Sequence, residues 1–246
     1  SMIWGADGKK LSKRHGATSV EAFRDQGFLP EALMNHLALL GWSLDGETTI
    51  IPRETLKREF SLERVSKNPA IFDFDKLDWI NGAYIRALEA DELAARMFPW
   101  IHGAGLAPAD DLAARPDWYR ALAPLVAERL KRLTEVVSMV RFLFVDEVDI
   151  EPEAVEKVLA KEGAAAALAA ARDSLQGLDP WTTTAIEETL RGLPPVLGQK
   201  PKQVFQVVRV AVAGSTVSPP LFESLELMGR ERTLARLTAA ETVAVT

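Results

Sequence analysis

At 246 residues the chain has room for two or three domains, and 48% apolar with 26% charged residues is the composition of a folded globular protein. A net charge of −6 excludes a generic polyanion binder, so any nucleic-acid contact must rest on local basic patches. The lack of cysteine excludes disulfides, thiolate catalysis and Cys-based zinc sites, three scattered histidines (His15, His36, His102) predict no metal centre, and no apolar run is long enough to predict a membrane span.

A short apolar strand opens the chain, followed by the stretch "GADGKKLSKRHGATSVEAF" at 5–23, in which Lys10, Lys13 and Arg14 stand among Gly5, Gly8 and Gly16. Thr18-Ser19-Val20-Glu21 reads as a capping box, starting a helix that ends near Gly27. Pro30 suits a first helical position, and Leu33, Met34, Leu37 and Leu40 form an apolar stripe closed by Gly41. The β-branched run "TTIIP" (48–52) predicts one edge strand, and 53–60 and 74–82 predict short amphipathic helices separated at Pro69. Beyond residue 85 only helices are predicted, over about 89–101, 117–131, 134–145, 152–161, 164–176, 184–192, 201–213, 219–228 and 230–242, with 102–116 as a loop. The predicted class is mainly α, with one or two short strands.

The cationic loop carries the chemistry. Lysine ammonium groups act as point charges for phosphate oxygens, and glycines let backbone N–H groups approach an anion. The spacing is not that of a P-loop, because no glycine stands five positions before Gly8-Lys9 and lysine follows that pair. On charge content alone, a solvated loop is the simpler reading.

The order of the residues says more. Lys10-Leu11-Ser12-Lys13-Arg14 resembles the Lys-Met-Ser-Lys-Ser signature of class I aminoacyl-tRNA synthetases, in the form found in glutamyl-tRNA synthetases. "SVEAFRDQGFLPEALMNHLALLGWS" (19–43), "NPAIFDFDKLDWINGAYI" (68–85) and "RVAVAGSTVSPPLFESLELMGRERTLARL" (209–237) are similar to later segments of the bacterial type of that family, in the same order. The chain therefore resembles the C-terminal half of such an enzyme.

The resemblance implies three parts: the signature loop and stem-contact fold over 1–88, then two all-helical anticodon-binding subdomains over 89–148 and 149–246. It implies that Lys13 is catalytic, meeting the triphosphate as adenylate and pyrophosphate form, within an ATP-binding loop of Lys10, Ser12, Lys13 and Arg14. A charge that meets the leaving pyrophosphate chiefly in the transition state lowers the barrier selectively, typically by about 3–4 kcal/mol. The family's His-x-Gly-His signature has no counterpart here, so this chain alone is expected not to activate glutamate. ATP and Mg²⁺ are expected for the full-length enzyme, with neither bound to this piece. A cytoplasmic monomer is implied, with tRNA as partner and no membrane.

For the anticodon, the resemblance maps base reading onto Arg209, Ser218, Pro219 and Leu221, and onto Arg129 within the basic stretch 127–141. The competing readings are a helix-joining loop capped by Ser218 and a solvated helix face around Arg129. Val207-Val208 stands where family members often carry Pro-Leu, and Ser218 where threonine is common. Lys200 and Lys202 suit phosphate contacts, and Trp42, Trp79, Trp100, Trp118 and Trp181 read as packing residues. Two further functions stay open: a non-discriminating enzyme that also charges glutamine tRNA, and an autonomous helical interaction module without a tRNA role.

Overall fold

The computed structural model describes residues 2–12, 14 and 19–244. Among them no helix is long and apolar enough to cross a membrane. The chain forms two compact units, one of residues 1–103 and 112–136, the other of 104–111 and 137–246. The helices over 90–103 and 116–127 thus fold with the first unit, and position 148 lies inside the second.

The first unit begins with β1 (Ile3–Trp4), paired parallel to β2 (Ala70–Ile71) with Ile3 opposite Ala70. On its other side β1 meets the returning chain, where Trp4 bridges Lys10 and Leu11 N–H donates to the Ile3 carbonyl at 3.0 Å. Ile3 and Leu11 pack against a core of Phe23, Phe28, Leu33, Phe72 and Leu77. The apolar residue of the signature is therefore its anchor. Helix α1 (Val20–Asp25) is capped one residue later than predicted: the Ser19 hydroxyl accepts from Ala22 N–H at 3.2 Å, and Thr18 lies outside the described residues. Ser19→Ala is expected to cost about 1 kcal/mol of unit stability, read as a lowered thermal midpoint.

Helix α2 (Pro30–Leu39) starts at its proline as predicted, but its buried face is Ala32, Leu33, Asn35 and His36. Met34 and Leu37 of the predicted stripe are exposed. They line an open groove with Leu56 and Phe60. Residues 48–52 form no strand. Asn35 takes the place of a pairing strand: its Nδ2 donates to Thr49 O (3.0 Å) and its Oδ1 accepts from Ile51 N–H (2.8 Å). Ile51 is thereby fixed in a second core with Trp42 and Leu56 of helix α3 (Arg53–Glu59). The Tyr84 hydroxyl donates to Ile51 O at 2.8 Å from helix α4 (Phe74–Arg86). That helix continues past the predicted end at 82 because Ile85 is fully buried.

Helices α5 (Ala90–Gly103), α6 (Asp111–Ala114), α7 (Pro116–Ala127) and α8 (Val136–Val140) follow. The sequence reading missed α6 and carried α7 on to residue 131. Tertiary contacts cut α7 short. Leu130 is fully buried, and the Lys131 carbonyl accepts from the Asn81 amide at 2.6 Å. Trp42 is buried as predicted, whereas Trp79 stands 54% exposed on α4.

The second unit contains α9 (Pro152–Ala154), α10 (Ala164–Gln176), α11 (Thr183–Arg191), α12 (Leu193–Leu197), α13 (Pro201–Ala213), α14 (Leu221–Met228) and α15 (Arg230–Glu241). A π-turn over Val155–Leu159 continues α9, where a single helix 152–161 was predicted. The alanine-rich α10 lies against α13 and α15, burying Ala164, Ala167 and Ala171, whose small side chains allow close helix approach. Arg236 of α15 is buried and donates to the carbonyls of Val145, Asp146 and Val212; burial pulls its pKa down to about 10. It fixes the 145–146 segment and the C-terminal turn of α13 on one guanidinium.

Candidate nucleic-acid interface

The cationic loop folds over Gly5–Lys9, with Gly5 N–H donating to Lys9 O at 2.7 Å and Gly8 in the left-handed region at φ +69°. Asp7 Oδ1 accepts from Lys9 N–H at 3.0 Å, and its other oxygen stands 3.8 Å from Arg14. Lys10 and Arg14 are exposed, while Ser12 is half-buried. Lys13 lies outside the described residues. The turn thus presents cations on a backbone anchored at Leu11, a donor set suited to phosphate oxygens. Among the described residues no group of three or more His, Asp or Glu side chains is arranged to hold a metal ion.

The second candidate is the turn from α13 to α14. Gly214 has φ +75°, and a Cβ there would meet the Asp149 carbonyl oxygen at 2.4 Å, so only glycine closes this corner. Glu151 N–H donates to Gly214 O at 2.8 Å, and Gln206 Nε2 donates to Thr216 O at 2.8 Å. Arg209 Nη1 reaches the Ser218 hydroxyl and carbonyl and donates to Pro219 O at 2.9 Å. The structure therefore brings Arg209, Ser218 and Pro219 together, with Leu221 at the first position of α14. Ser218, Pro219 and Leu221 are buried, and Arg209 is half-buried. Ser218 is not a helix cap: α14 begins two residues after the predicted Pro219, behind Pro220. Arg209 is the brace that shapes the turn. Val217 is its exposed tip, with half-buried Ser215 and Thr216 beside it.

Sequence reasoning missed a cluster on the same helices. The Phe205 and Phe222 rings meet edge to face at 5.4 Å, and the Arg191 guanidinium lies 5.8 and 5.7 Å from their centroids. Two signals were available. Phe205 precedes Arg209 by one helical turn, and Phe222 directly follows Leu221. A half-buried aromatic pair with a guanidinium on its face is a stacking surface for an unpaired base.

The basic stretch 127–141 divides by role. Arg132 is engaged, holding Asp78 through two hydrogen bonds of 2.6 and 3.0 Å and lying 4.5 Å from the Phe28 ring centroid. The Asp78 carboxylate raises the Arg132 guanidinium further above its ordinary range. Arg129, Lys131 and Arg141 are exposed, and among the described residues the Arg129 side chain has no ion-pair partner. Arg129 is the one of these first singled out as a base reader.

The profile of the anticodon binding domain family matches residues 92–241, and that of the catalytic domain of class I tRNA synthetases (E and Q) matches residues 1–79. The chain is 45% identical over 240 residues to the glutamate–tRNA ligase of Moorella thermoacetica, covering 97% of this chain and 49% of that protein. It is 46% identical over 240 residues to the glutamate–tRNA ligase of Saccharopolyspora erythraea, covering 97% of this chain and 48% of the relative. The chain spans about half the length of the curated relatives it matches. In fold it is similar to the crystal structure of the glutamate tRNA ligase of Elizabethkingia meningosepticum, at a TM-score of 0.84 and 22% identity over 99% of this chain and 51% of that one. The signature loop, the braced turn and these matches agree: the chain belongs to the glutamate–tRNA ligase family of class I aminoacyl-tRNA synthetases, with that family's anticodon-binding domain at residues 92–241.

Proposed function

We propose that this chain is the tRNA-reading half of an enzyme that joins glutamate to its tRNA with ATP, through a glutamyl-adenylate. The observation that carries the reading is the Arg209-braced turn, which lies inside the segment matched by the anticodon-binding profile. Anticodon bases are unstacked and offer their Watson–Crick edges and faces. The turn offers backbone groups held in fixed positions, and the Phe205–Phe222 pair offers a stacking surface beside it. Arg209, Ser218, Pro219 and Leu221 thus form one reading corner, and exposed Arg129 supplies a second contact.

In the complete enzyme ATP is a substrate: the glutamate carboxylate attacks its α-phosphorus, the bond to the β-phosphate breaks, and pyrophosphate leaves as the adenylate forms. Lys10, Ser12 and Arg14 then form one wall of its site, and Lys13 meets the charge that develops on the pyrophosphate. Mg²⁺ accompanies that nucleotide; the residues described here assign it no ligands. The whole protein acts as a cytoplasmic monomer on glutamate, ATP and tRNA.

The test is a fluorescence titration with glutamate tRNA, repeated with the third anticodon base changed from C to G. The change is expected to weaken binding by about 1–3 kcal/mol. Arg209→Ala should abolish most of that difference while retaining salt-dependent binding, because the loosened turn still leaves phosphate contacts in place. Full discrimination by the alanine variant would remove the turn from base reading.

A further inference from the structure

A second cavity shares a wall with the reading corner. It has a volume of about 380 Å³ and is lined by Lys157, Lys161, Gln199, Lys202, Gln203 and Gln206 among others. Its construction is specific. At the end of α9 the Ala160 N–H donates to Val155 O at 2.8 Å, a spacing of five residues, which widens the helix by one residue. The next turn carries Lys161 to the rim and ends at Gly163, whose φ is +80°. The Gly163 carbonyl accepts from Gln199 Nε2 at 3.0 Å, and a Cβ at Gly163 would stand 2.3 Å from that nitrogen. The opposite wall is the first two turns of α13. There Gln203 Oε1 caps the Lys200 N–H at 3.0 Å, and Gln206 reaches over to Thr216 of the reading turn.

The charges around this cavity are unequal. Lys157 is ion-paired to Glu153. Lys161 and Lys202 are exposed and, among the described residues, meet no carboxylate within ion-pair distance. Glu162 is the single acidic side chain among the lining residues. Two uncompensated ammonium groups at the edge of this cavity suit a phosphodiester, whose oxygens accept from both.

We propose that this cavity is a backbone-phosphate seat for the tRNA strand entering or leaving the reading corner, with Lys161 and Lys202 as its two cationic contacts. The proposal rests on the tRNA-reading assignment above and adds to it a part that supplies affinity without base selectivity. The shared wall at Gln206 fixes the seat's position relative to the bases, so a phosphate held there sets the register in which they meet the turn.

Two lysines neutralising phosphates give a definite signature, because each phosphate contact adds about 0.7–0.9 to the slope of log affinity against log salt. The experiment titrates the chain and its Lys161→Gln/Lys202→Gln variant with glutamate tRNA at three salt concentrations, using both the C and the G form of the third anticodon base. The variant is expected to lose affinity at low salt, to show a slope shallower by about 1–2, and to keep the C-over-G ratio unchanged. Lys161→Arg/Lys202→Arg should restore the parental slope. A slope identical to the parent's overturns the seat and leaves the tRNA reading standing. A parent that binds no tRNA at any salt overturns that reading, and the seat with it. A millimolar pyrophosphate arm separates sources: equal protection of the parent by pyrophosphate and by tRNA would make this a free-phosphate site and overturn the strand assignment.

Discussion

Gly27→Ala is expected to lower the unfolding free energy of the first unit by about 3 kcal/mol or more, from two additive causes. Gly27 has φ +84°, in the left-handed region where an L side chain costs about 1–2 kcal/mol. A Cβ there would also stand 2.6 Å from Thr134 N and 2.8 Å from Leu133 N, both rigid backbone atoms, and forced overpacking costs about 1–3 kcal/mol. The contact is a seam. Leu133 N–H donates to Gly27 O at 3.0 Å, and the Thr134 hydroxyl donates to Gln26 O at 3.2 Å. Fully buried Asn81 fastens its other end, accepting from Leu29 N–H at 2.8 Å while donating to Lys131 O. Gly46→Ala is the control, since Gly46 has φ +89° with nothing within 4 Å of a Cβ, and it should cost about 1 kcal/mol. Urea unfolding followed by tryptophan fluorescence reads this unit well, because five of the six tryptophans lie in it. Equal losses for the two variants would show that the seam yields freely and that only backbone strain matters.

The same seam shows why parts of the fold escaped the sequence. Helices with regular apolar spacing and clear ends, such as α10, α13 and α15, were legible because local pattern and tertiary burial agree there. The end of α7 was not. Residues 128–131 have helical propensity, but Leu130 is fully buried and the Lys131 carbonyl is claimed by Asn81, fifty positions earlier in the chain. The run at 48–52 misled for a related reason. Its β-branched residues favour a strand, but the Thr49 carbonyl and the Ile51 N–H are taken by a helix side chain, Asn35. Side-chain satisfaction of backbone groups leaves no periodic trace.

The candidate site was legible by order and not by geometry. The arrangement of Lys10 to Arg14 and of residues 209–221 pointed to the family, since collinear motifs survive without any knowledge of packing. What the sequence hid was direction. Arg209 reads as a free cation, yet its Nη1 is turned onto the carbonyls of Ser218 and Pro219, so it holds the shape of the turn. Arg132 hides in the same way behind Asp78. Within one basic stretch, burial separates the bracing arginine from Arg129, which remains exposed.

Acidification should destabilise the first unit through His36, by about 2.5 kcal/mol between pH 7.5 and pH 4.5. The imidazole is 1% exposed, its ring is 4.7 Å from that of Phe72, and neither ring nitrogen has a hydrogen-bond partner. Burial, helped by the nearby Lys76 cation and only partly opposed by Asp73, pulls its pKa from 6.5 to about 4. The unfolded chain therefore binds a proton in a pH range where the native chain does not, so stability falls as pH drops below 6.5. The loss grows until the pH passes the folded value near 4, where it levels off at about 3 kcal/mol. Other carboxylates titrate in the same range, so the measurement is a difference. Urea unfolding of the parent and of His36→Leu is compared at pH 7.5 and 4.5. The leucine variant, which keeps an apolar group of similar volume against Phe72, should lose about 2.5 kcal/mol less than the parent. Parallel losses in the two proteins would mean that the ring finds an acceptor once protonated. The core around Phe72 would then open to admit one, and the interior of this unit would be softer than its packing indicates.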